Sequence, residues 1–211
     1  MVNNFYSYCP LCKGQMKLKI RNLKDDRYGY AGFYDVYVCK NCGLGKIFPE
    51  FEDNLISELY TKYYPRKYVD TNEILKKMET FRWNWVKKML IWWNGESNVC
   101  HYVAKIGDDV LDVGCGDGTS LLELKQIGAN PFGTEQDKNV IQIAKELKIN
   151  VFIGDLEKYP DKIKFDLVTA SQVIEHQKDP DVFIKNLKRL IKKNGVIVIS
   201  FPNIEGLYNK I

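Results

Sequence analysis

The sequence contains no long hydrophobic run, so we expect no membrane-spanning helix. Its apolar stretches, such as residues 89–93 and 196–199, are far shorter than the roughly 20 residues that a spanning helix needs. The first residues lack the charged and apolar segments of a secretory signal, so we expect a cytoplasmic protein with no membrane partner. A strong charge of one sign is also missing, because 31 Lys and Arg against 27 Asp and Glu leave a net charge of +4. That balance permits a nucleic-acid partner but does not argue for one.

The remaining composition is that of an ordinary globular protein. Hydrophobic residues make up 45% and charged residues 27% of the 211 positions, which excludes a disordered chain, a collagen and a coiled-coil rod. The length corresponds to one large domain or two small ones, and it is ample for a hydrophobic core.

Four of the six cysteines form two pairs of the C-x2-C type. Cys9 and Cys12 make the first pair, and Cys39 and Cys42 make the second. Two intervening residues let both sulfurs of a pair turn toward one ion, so the four thiolates predict a tetrahedral zinc site. The segment between the pairs has the patterns of two strands. The sequence therefore predicts a zinc ribbon over residues 1–48.

Two local disulfides or four unrelated thiols would also account for these cysteines, although a reducing compartment argues against the disulfides. A site with four protein thiolates has no open position for water, so we expect a structural zinc ion and no zinc catalysis. A ribbon of this kind also allows docking to RNA. The remaining two, Cys100 and Cys115, are isolated, and we expect neither to act as a nucleophile.

Residues 49–100 are predicted to form a helical linker or lid. Asp70 followed by Glu73 resembles a capping box, which predicts a helix over residues 71–93. Eight basic and three acidic residues between positions 62 and 93 leave a local charge of +5. We favour a solvated helix face with a buried aromatic stripe. The alternative is a face that binds nucleic acid.

Beyond residue 100, short β-branched runs alternate with helical stretches. This alternation predicts an α/β fold with a doubly wound, Rossmann-like, mostly parallel sheet over residues 101–211. In such sheets, ligands bind at the carboxyl ends of the strands. The expected strands cover residues 110–113, 131–134, 151–154, 165–170 and 196–201, and the expected helices cover residues 119–127, 138–147 and 181–191.

A glycine-rich loop and several acidic residues follow the predicted strands. Gly114, Gly116 and Gly118 connect the first strand to a helix, which lets a ligand approach the backbone. Their spacing differs from that of dinucleotide-binding loops. Glu135 and Asp155 end the second and third strands, where they suit ribose hydroxyls and an exocyclic amine. Alternatively, these carboxylates simply end strands at the surface.

Together, these segments resemble the class I S-adenosylmethionine-dependent methyltransferases. Residues 110–118, with the sequence VLDVGCGDG, resemble the first motif of that family. Residues 133–135 and 154–156 are similar to its second and third motifs. Residues 165–168, 173–176 and 179–180 resemble its fourth-strand region, and residues 190–203 the segment that leads into its fifth strand. The N-terminal ribbon and the helix after it are similar to methyltransferases that act on sugars, glycans and related small molecules.

The resemblance implies a role for each candidate residue. Asp112, Gly114 and Gly116 would hold the methionine part of the cofactor, Glu135 the ribose, and Asp155 with Leu156 the adenine. Ser171 and Gln172 would line the cofactor near its methyl group, close to the catalytic candidates His176 and Glu175. His176 is a candidate base for a hydroxyl acceptor, or alternatively a residue that holds its own loop. The whole predicted cofactor-binding set is Asp112, Gly114, Cys115, Gly116, Glu135, Gln136, Asp155, Leu156, Ser171 and Gln172.

The sequence departs from the resembled family at its C-terminal end. Only about ten residues follow the fifth predicted strand, so we expect either that the chain is a fragment or that its sheet lacks the family's last two strands. The fifth strand would then be an edge that a partner chain or self-association covers.

The leading hypothesis is S-adenosylmethionine-dependent methyl transfer to a small molecule such as a sugar or glycan intermediate. The alternatives are an RNA methyltransferase that docks through the ribbon and the basic helix, and a non-catalytic scaffold that binds the cofactor. An oxidoreductase fits the loop spacing poorly.

Overall fold

The computed structural model describes most of the chain. The described residues are 8–26, 28–51, 55–63, 69–80 and 100–202, together with Val86 and Met89. The chain divides into two compact units, residues 1–64 and 65–211. Most of the predicted helix after residue 80 and the segment after residue 202 lie outside the described residues.

The N-terminal unit contains a three-stranded antiparallel sheet. Its strands are β1 (Met16–Leu23), β2 (Tyr34–Cys39) and β3 (Gly45–Phe48), in the order β1-β2-β3. The two strands predicted between the cysteine pairs are therefore present, and β3 is a third strand that follows the second pair. Helix α1 (Leu55–Lys62) completes the described part of this unit.

The C-terminal unit begins, in its described part, with helix α2 (Thr71–Thr80). Asp70 initiates this helix because its Oδ1 accepts a hydrogen bond of 2.9 Å from the Asn72 amide. Ile74 and Met78, one turn apart, are buried in the core of the unit. Val86 and Met89 are also helical.

Five strands form a parallel sheet in the order β6-β5-β4-β7-β8. The chain order reverses beside β4, which creates the switch point at which such sheets bind ligands. The prediction of a doubly wound, Rossmann-like sheet is thus confirmed. The strands are β4 (Asp109–Val113), β5 (Asn130–Glu135), β6 (Val151–Ile153), β7 (Phe165–Ser171) and β8 (Ile191–Ser200).

Helices cover both faces of this sheet. They are α3 (Thr119–Ile127), α4 (Val140–Leu147) and α5 (Pro180–Leu190). Successive residues of a strand point to opposite faces, so Val110 packs with α3 and α4 whereas Leu111 packs with α5. None of the described helices has the length and apolar character needed to cross a bilayer.

Candidate functional site

The two cysteine pairs adopt the same backbone geometry. The amides of Cys9 and Cys39 donate to the carbonyls of Gly14 and Leu44, and the amides of Lys13 and Gly43 donate back to the carbonyls of Cys9 and Cys39. Lys13 and Gly43 have φ values of 60° and 76°, which close each turn tightly. Each pair is therefore a knuckle whose sulfurs face the other pair.

The four sulfurs lie at distances that suit one metal ion. All four Sγ atoms are within 4.8 Å of one another, with 3.6 Å between Cys9 and Cys42 and 3.5 Å between Cys12 and Cys39. A tetrahedral zinc ion with bonds of about 2.3 Å places its sulfurs about 3.8 Å apart. All four cysteines are free thiols. These four sulfurs fit a zinc ion and occupy all four of its tetrahedral positions.

The second knuckle contains one cysteine with a raised pKa and one with a lowered pKa. Although the Leu44 amide acts to lower it, the contact with the Cys12 sulfur, burial and the contacts with the Cys9 and Cys39 sulfurs raise the pKa of Cys42 to about 12. The Cys42 amide, assisted by the Asn41 amide, lowers the pKa of Cys39 to about 6, although burial acts in the opposite direction. A thiolate is the form of cysteine that binds metal.

The loop between β4 and α3 has a backbone that suits glycine. Gly114 and Gly116 have φ values of 71° and 61°, a conformation that residues with a Cβ rarely adopt. A Cβ on Gly114 would lie 2.7 Å from Cγ2 of Val173. The amides of Gly114 and Cys115 both donate to the Thr134 carbonyl at the end of β5. The loop is therefore held against the neighbouring strand, close to the region that follows β7.

Asp112 lies beneath this loop and not at its surface. It is only 6% exposed, and its carboxylate accepts hydrogen bonds from the Thr169 hydroxyl (2.7 Å, Oγ1 to Oδ1) and the Ser120 hydroxyl. Burial raises the pKa of Asp112, and the nearby His101 ring and both hydroxyl contacts act against this effect. Asp112 consequently ties β4 to β7 and to the first turn of α3.

Glu135 receives three backbone amides at the end of β5. Its Oε2 accepts a bond of 3.0 Å from the Gly116 amide, and its Oε1 accepts bonds from the amides of Gln136 (2.8 Å) and Asp137 (3.2 Å). These contacts fix the carboxylate between the glycine loop and the start of the next segment. Each carboxylate oxygen has more than one acceptor site, so amide bonds of this kind leave room for ligand hydroxyls.

Asp155 joins this group from the end of β6. Its Oδ1 lies 3.3 Å from the Gln136 side-chain nitrogen, and its Oδ2 lies 3.0 Å from the Lys158 ammonium. Leu156, the next residue, is buried. The acidic residues that follow two neighbouring strands are thus linked through Gln136.

The segment after β7 brings the remaining candidates to the same edge of the sheet. Gln172 has a φ of 56°, and its amide donates to the Ser200 carbonyl, whereas Ser171 accepts from the Ser200 hydroxyl. The Gln172 side-chain nitrogen is shielded from solvent and has no hydrogen-bond partner among the described residues. Glu175 and His176 belong to a 3-10 turn (Ile174–His176) and are exposed.

Sequence patterns did not indicate the role of several residues in this region. Thr169 and Ser120 hold Asp112, and a buried pair, His101 and Glu123, lies nearby with 2.7 Å between Nε2 and Oε2. Alternation along β7 indicates that Thr169 faces one side of the sheet, but not which partner it meets. His101 and Glu123 are 22 positions apart and belong to no motif.

The comparisons with known proteins agree with this arrangement. Residues 91–210 match the family described as "Methyltransferase domain". The chain therefore belongs to the methyltransferase domain family, which confirms the resemblance drawn from its motifs.

Relatives with names are similar over the same part of the chain. The chain is 36% identical over 100 residues to the ubiquinone biosynthesis O-methyltransferase of Pelagibacter ubique (strain HTCC1062), covering 44% of the chain and 42% of that protein. It is 32% identical over 133 residues to the protein of the same name from Coxiella burnetii (strain Dugway 5J108-111), covering 53% and 57%. The chain spans about half the length of these curated relatives.

The structure is also similar to a TehB-like SAM-dependent methyltransferase from Corynebacterium glutamicum ATCC 13032 Kitasato. The identity is 23% and the TM-score is 0.42, over 54% of this chain and 67% of that one.

Proposed function

We propose that this chain binds S-adenosylmethionine and transfers its methyl group to a hydroxyl of a small molecule. The observation that carries this proposal is the convergence of four strand ends on one glycine loop. Glu135 bonds the loop through Gly116, Gln136 joins it to Asp155, and the loop packs against Val173 beyond β7.

Each part of the convergent site suits a part of the cofactor. Glu135 is fixed by three amides and accepts the ribose hydroxyls, and Asp155 with Leu156 frames the adenine. The loop glycines accommodate the methionine end. Asp112 supports that end through the loop, because its bonds to Ser120 and Thr169 join β4, which leads into the loop, to β7 and to the first turn of α3.

The chemistry needs orientation and one proton acceptor. S-adenosylmethionine, when bound, supplies a sulfonium methyl group that a nucleophile attacks in line. As the methyl group passes from sulfur to the acceptor oxygen, His176 would accept the proton that the hydroxyl loses. The Gln172 side-chain nitrogen is shielded from solvent and has no hydrogen-bond partner among the described residues, and it donates a hydrogen bond to the bound ligands. Glu175 lies beside His176.

The acceptor that fits best is a small molecule with a hydroxyl group. The ubiquinone biosynthesis O-methyltransferases among the relatives support transfer to oxygen. A sugar or glycan intermediate and a hydroxylated aromatic compound both belong to this class. A panel that contains both, assayed for release of S-adenosylhomocysteine, separates the two.

For the N-terminal unit we propose a structural zinc ion bound by Cys9, Cys12, Cys39 and Cys42. The separations of the four sulfurs support it. Four free thiols also suit a reducing compartment, so we propose a cytoplasmic location.

Calorimetry with S-adenosylhomocysteine tests the proposed function on the intact, zinc-loaded chain. We expect one molecule bound per chain and at least roughly tenfold weaker binding by Glu135→Ala, because a charged acceptor of ligand hydroxyls is lost. Glu146→Ala is the matched control, since Glu146 is an exposed carboxylate on α4 that bonds Thr71 and Gln142. Absence of binding by the folded wild-type chain would contradict the proposal.

A further inference from the structure

One arginine holds the whole segment that follows Asp155. Arg189, near the end of α5, directs its guanidinium at residues 154–161, which we call the β6 loop. Nη2 donates to the carbonyls of Leu156 (2.9 Å) and Glu157 (3.3 Å). Nη1 donates to the carbonyl of Tyr159 (3.0 Å) and to the carboxylate of Asp161.

The guanidinium adds side-chain donors to the carbonyls of this short loop. The 3-10 turn Leu156–Lys158 is only three residues long, and within it the Tyr159 amide donates to the Leu156 carbonyl (3.1 Å). Arg189 adds a second donor to that carbonyl and also donates to the carbonyl of Glu157. Arg189 reaches four acceptors because its donors are arranged in a planar fork, whereas a lysine ammonium is a compact point charge. Its own orientation is supported by Asn186, whose Oδ1 accepts from Nε at 3.3 Å.

Arg189 bonds the segment that holds Asp155 and Leu156, the two residues proposed to bind the adenine. The start of the β6 loop is anchored to β5, where the Gly154 amide donates to the Glu135 carbonyl. Asp155 lies between this anchor and Leu156, the first residue bonded by Arg189. The position of the Asp155 backbone is therefore set on one side by the sheet and on the other by Arg189.

We infer that Arg189 is a positioning residue for the adenine of the cofactor, which it serves by holding the β6 loop without contacting the ligand. This inference rests on the proposed function. It predicts that Arg189 controls how well the site distinguishes adenine from a base that lacks the exocyclic amine, because Asp155 is the acceptor for that amine.

The test compares two ligands by calorimetry on the full chain. S-adenosylhomocysteine carries the amine, and S-inosylhomocysteine carries a carbonyl oxygen in its place. The wild-type chain is expected to prefer the adenine ligand by roughly tenfold or more, since a site built for an N–H donor rejects an analogue that lacks it. In Arg189→Met, the ratio of the affinities for the two ligands is expected to fall close to one. In Arg189→Lys, this ratio is expected to fall by about threefold.

Lys192→Met is the matched control. Lys192 bonds the carboxylates of Asp109 and Asp166, which lie at the opposite ends of the strands from the proposed site. This variant loses comparable charge contacts and is expected to keep the wild-type preference. Hydrogen exchange of residues 154–161 should accelerate in both Arg189 variants and not in the control.

The outcomes separate this inference from the proposed function. A wild-type chain that binds neither ligand overturns both. A wild-type chain that prefers the adenine ligand, with the same preference in Arg189→Lys and Arg189→Met, overturns the role of Arg189 alone. If Arg189→Met does not fold, the preference and the exchange rates of Arg189→Lys decide the question.

Discussion

At the scale of single residues, the candidate site depends on backbone conformations that few side chains permit. The glycine loop turns through positive φ values and packs directly on Val173, so its shape leaves little room for substitution. Below it, Asp112 connects three elements through two hydroxyl groups. Small changes at these positions should therefore alter cofactor binding more than they alter the sheet.

Gly114→Ala should weaken binding of S-adenosylhomocysteine and destabilise the fold by about 1–2 kcal/mol. The added Cβ meets Cγ2 of Val173 at 2.7 Å, and the φ of 71° strains any residue with a Cβ. Urea unfolding and calorimetry measure the two effects. The double variant Gly114→Ala/Val173→Ala removes the steric contact but not the strain, so partial recovery of binding is expected. Wild-type affinity in the single variant would contradict this view of the loop.

Breaking the buried pair of His101 and Glu123 by removing one partner should strongly destabilise the fold. Both side chains are 7% exposed, and 2.7 Å separates Nε2 from Oε2. His101→Leu should cost about 3 kcal/mol in urea unfolding, because it leaves Glu123 buried without this partner. His101→Leu/Glu123→Leu should recover most of the loss, since an apolar pair replaces a polar one. A single variant that unfolds at the same urea concentration as the wild type is the contrary result.

At the scale of elements, the sequence predicted those parts that local patterns specify. The end of α3 was predicted because a glycine, Gly128, follows its last turn, and the structure gives this glycine the αL conformation. The places of the glycine loop after β4 and of Glu135 and Asp155 at the ends of β5 and β6 were also predicted, because they lie within short motifs, whereas their roles in cofactor binding stay a prediction. These features depend on neighbours in the chain, which a sequence displays directly.

Features that depend on distant partners were not predicted. Strand β8 begins at Ile191, about five residues earlier than expected, because residues 191–195 contain lysines, an asparagine and a glycine that resemble a turn. Pairing of Ile191 with Phe165 and the bonds of Lys192 to Asp109 and Asp166 make this segment a strand. Strand β3 was missed for a related reason, since its four residues pair with β2 but show little burial.

The contribution of Lys192 to stability should depend on pH. Its hydrogen bond to Asp166 is the largest cause that lowers the pKa of Asp166 from 3.8, and the same bond raises the pKa of Lys192 from 10.5. A lowered acid pKa stabilises the fold above about pH 4 and loses this effect in more acidic solution. A raised lysine pKa stabilises the fold below about pH 10 and loses this effect in more alkaline solution.

Lys192→Met should therefore have a lower Tm than the wild type at pH 7, and the difference should shrink progressively as the pH falls below about 4. Thermal unfolding across this range measures the difference. Lys193→Met, which removes an exposed lysine from the adjacent position, is the control and should follow the wild type. If the Tm of Lys192→Met stays below that of the wild type by the same amount in acid, the charge contacts are not the cause of the difference.

The zinc site should determine the folding of the N-terminal sheet. One zinc ion per chain is expected by atomic spectroscopy, and Cys9→Ser should lose it, because a hydroxyl is a poor replacement for a buried thiolate. Hydrogen exchange in β1 and β2 should then increase strongly. Cys100→Ser, which alters a buried cysteine outside the cluster, should retain its zinc. A zinc-free chain with protected β1 and β2 amides would contradict a structural role.

At the scale of the whole molecule, the chain combines two compact units with different sources of stability. The first has a small core around Cys9, Met16 and Cys39, which suits a fold that a metal ion holds together. The second has hydrophobic clusters on both faces of a parallel sheet and is the part that matches the methyltransferase domain family. The candidate cofactor site lies entirely within the second unit.

The most direct test of the central claim is a crystal structure of the zinc-loaded chain with S-adenosylhomocysteine. We expect the ribose hydroxyls within hydrogen-bonding distance of Glu135, the adenine between Asp155 and Leu156, and the homocysteine end along the glycine loop. A ligand bound elsewhere, or a ribose that does not contact Glu135, would contradict the proposed site.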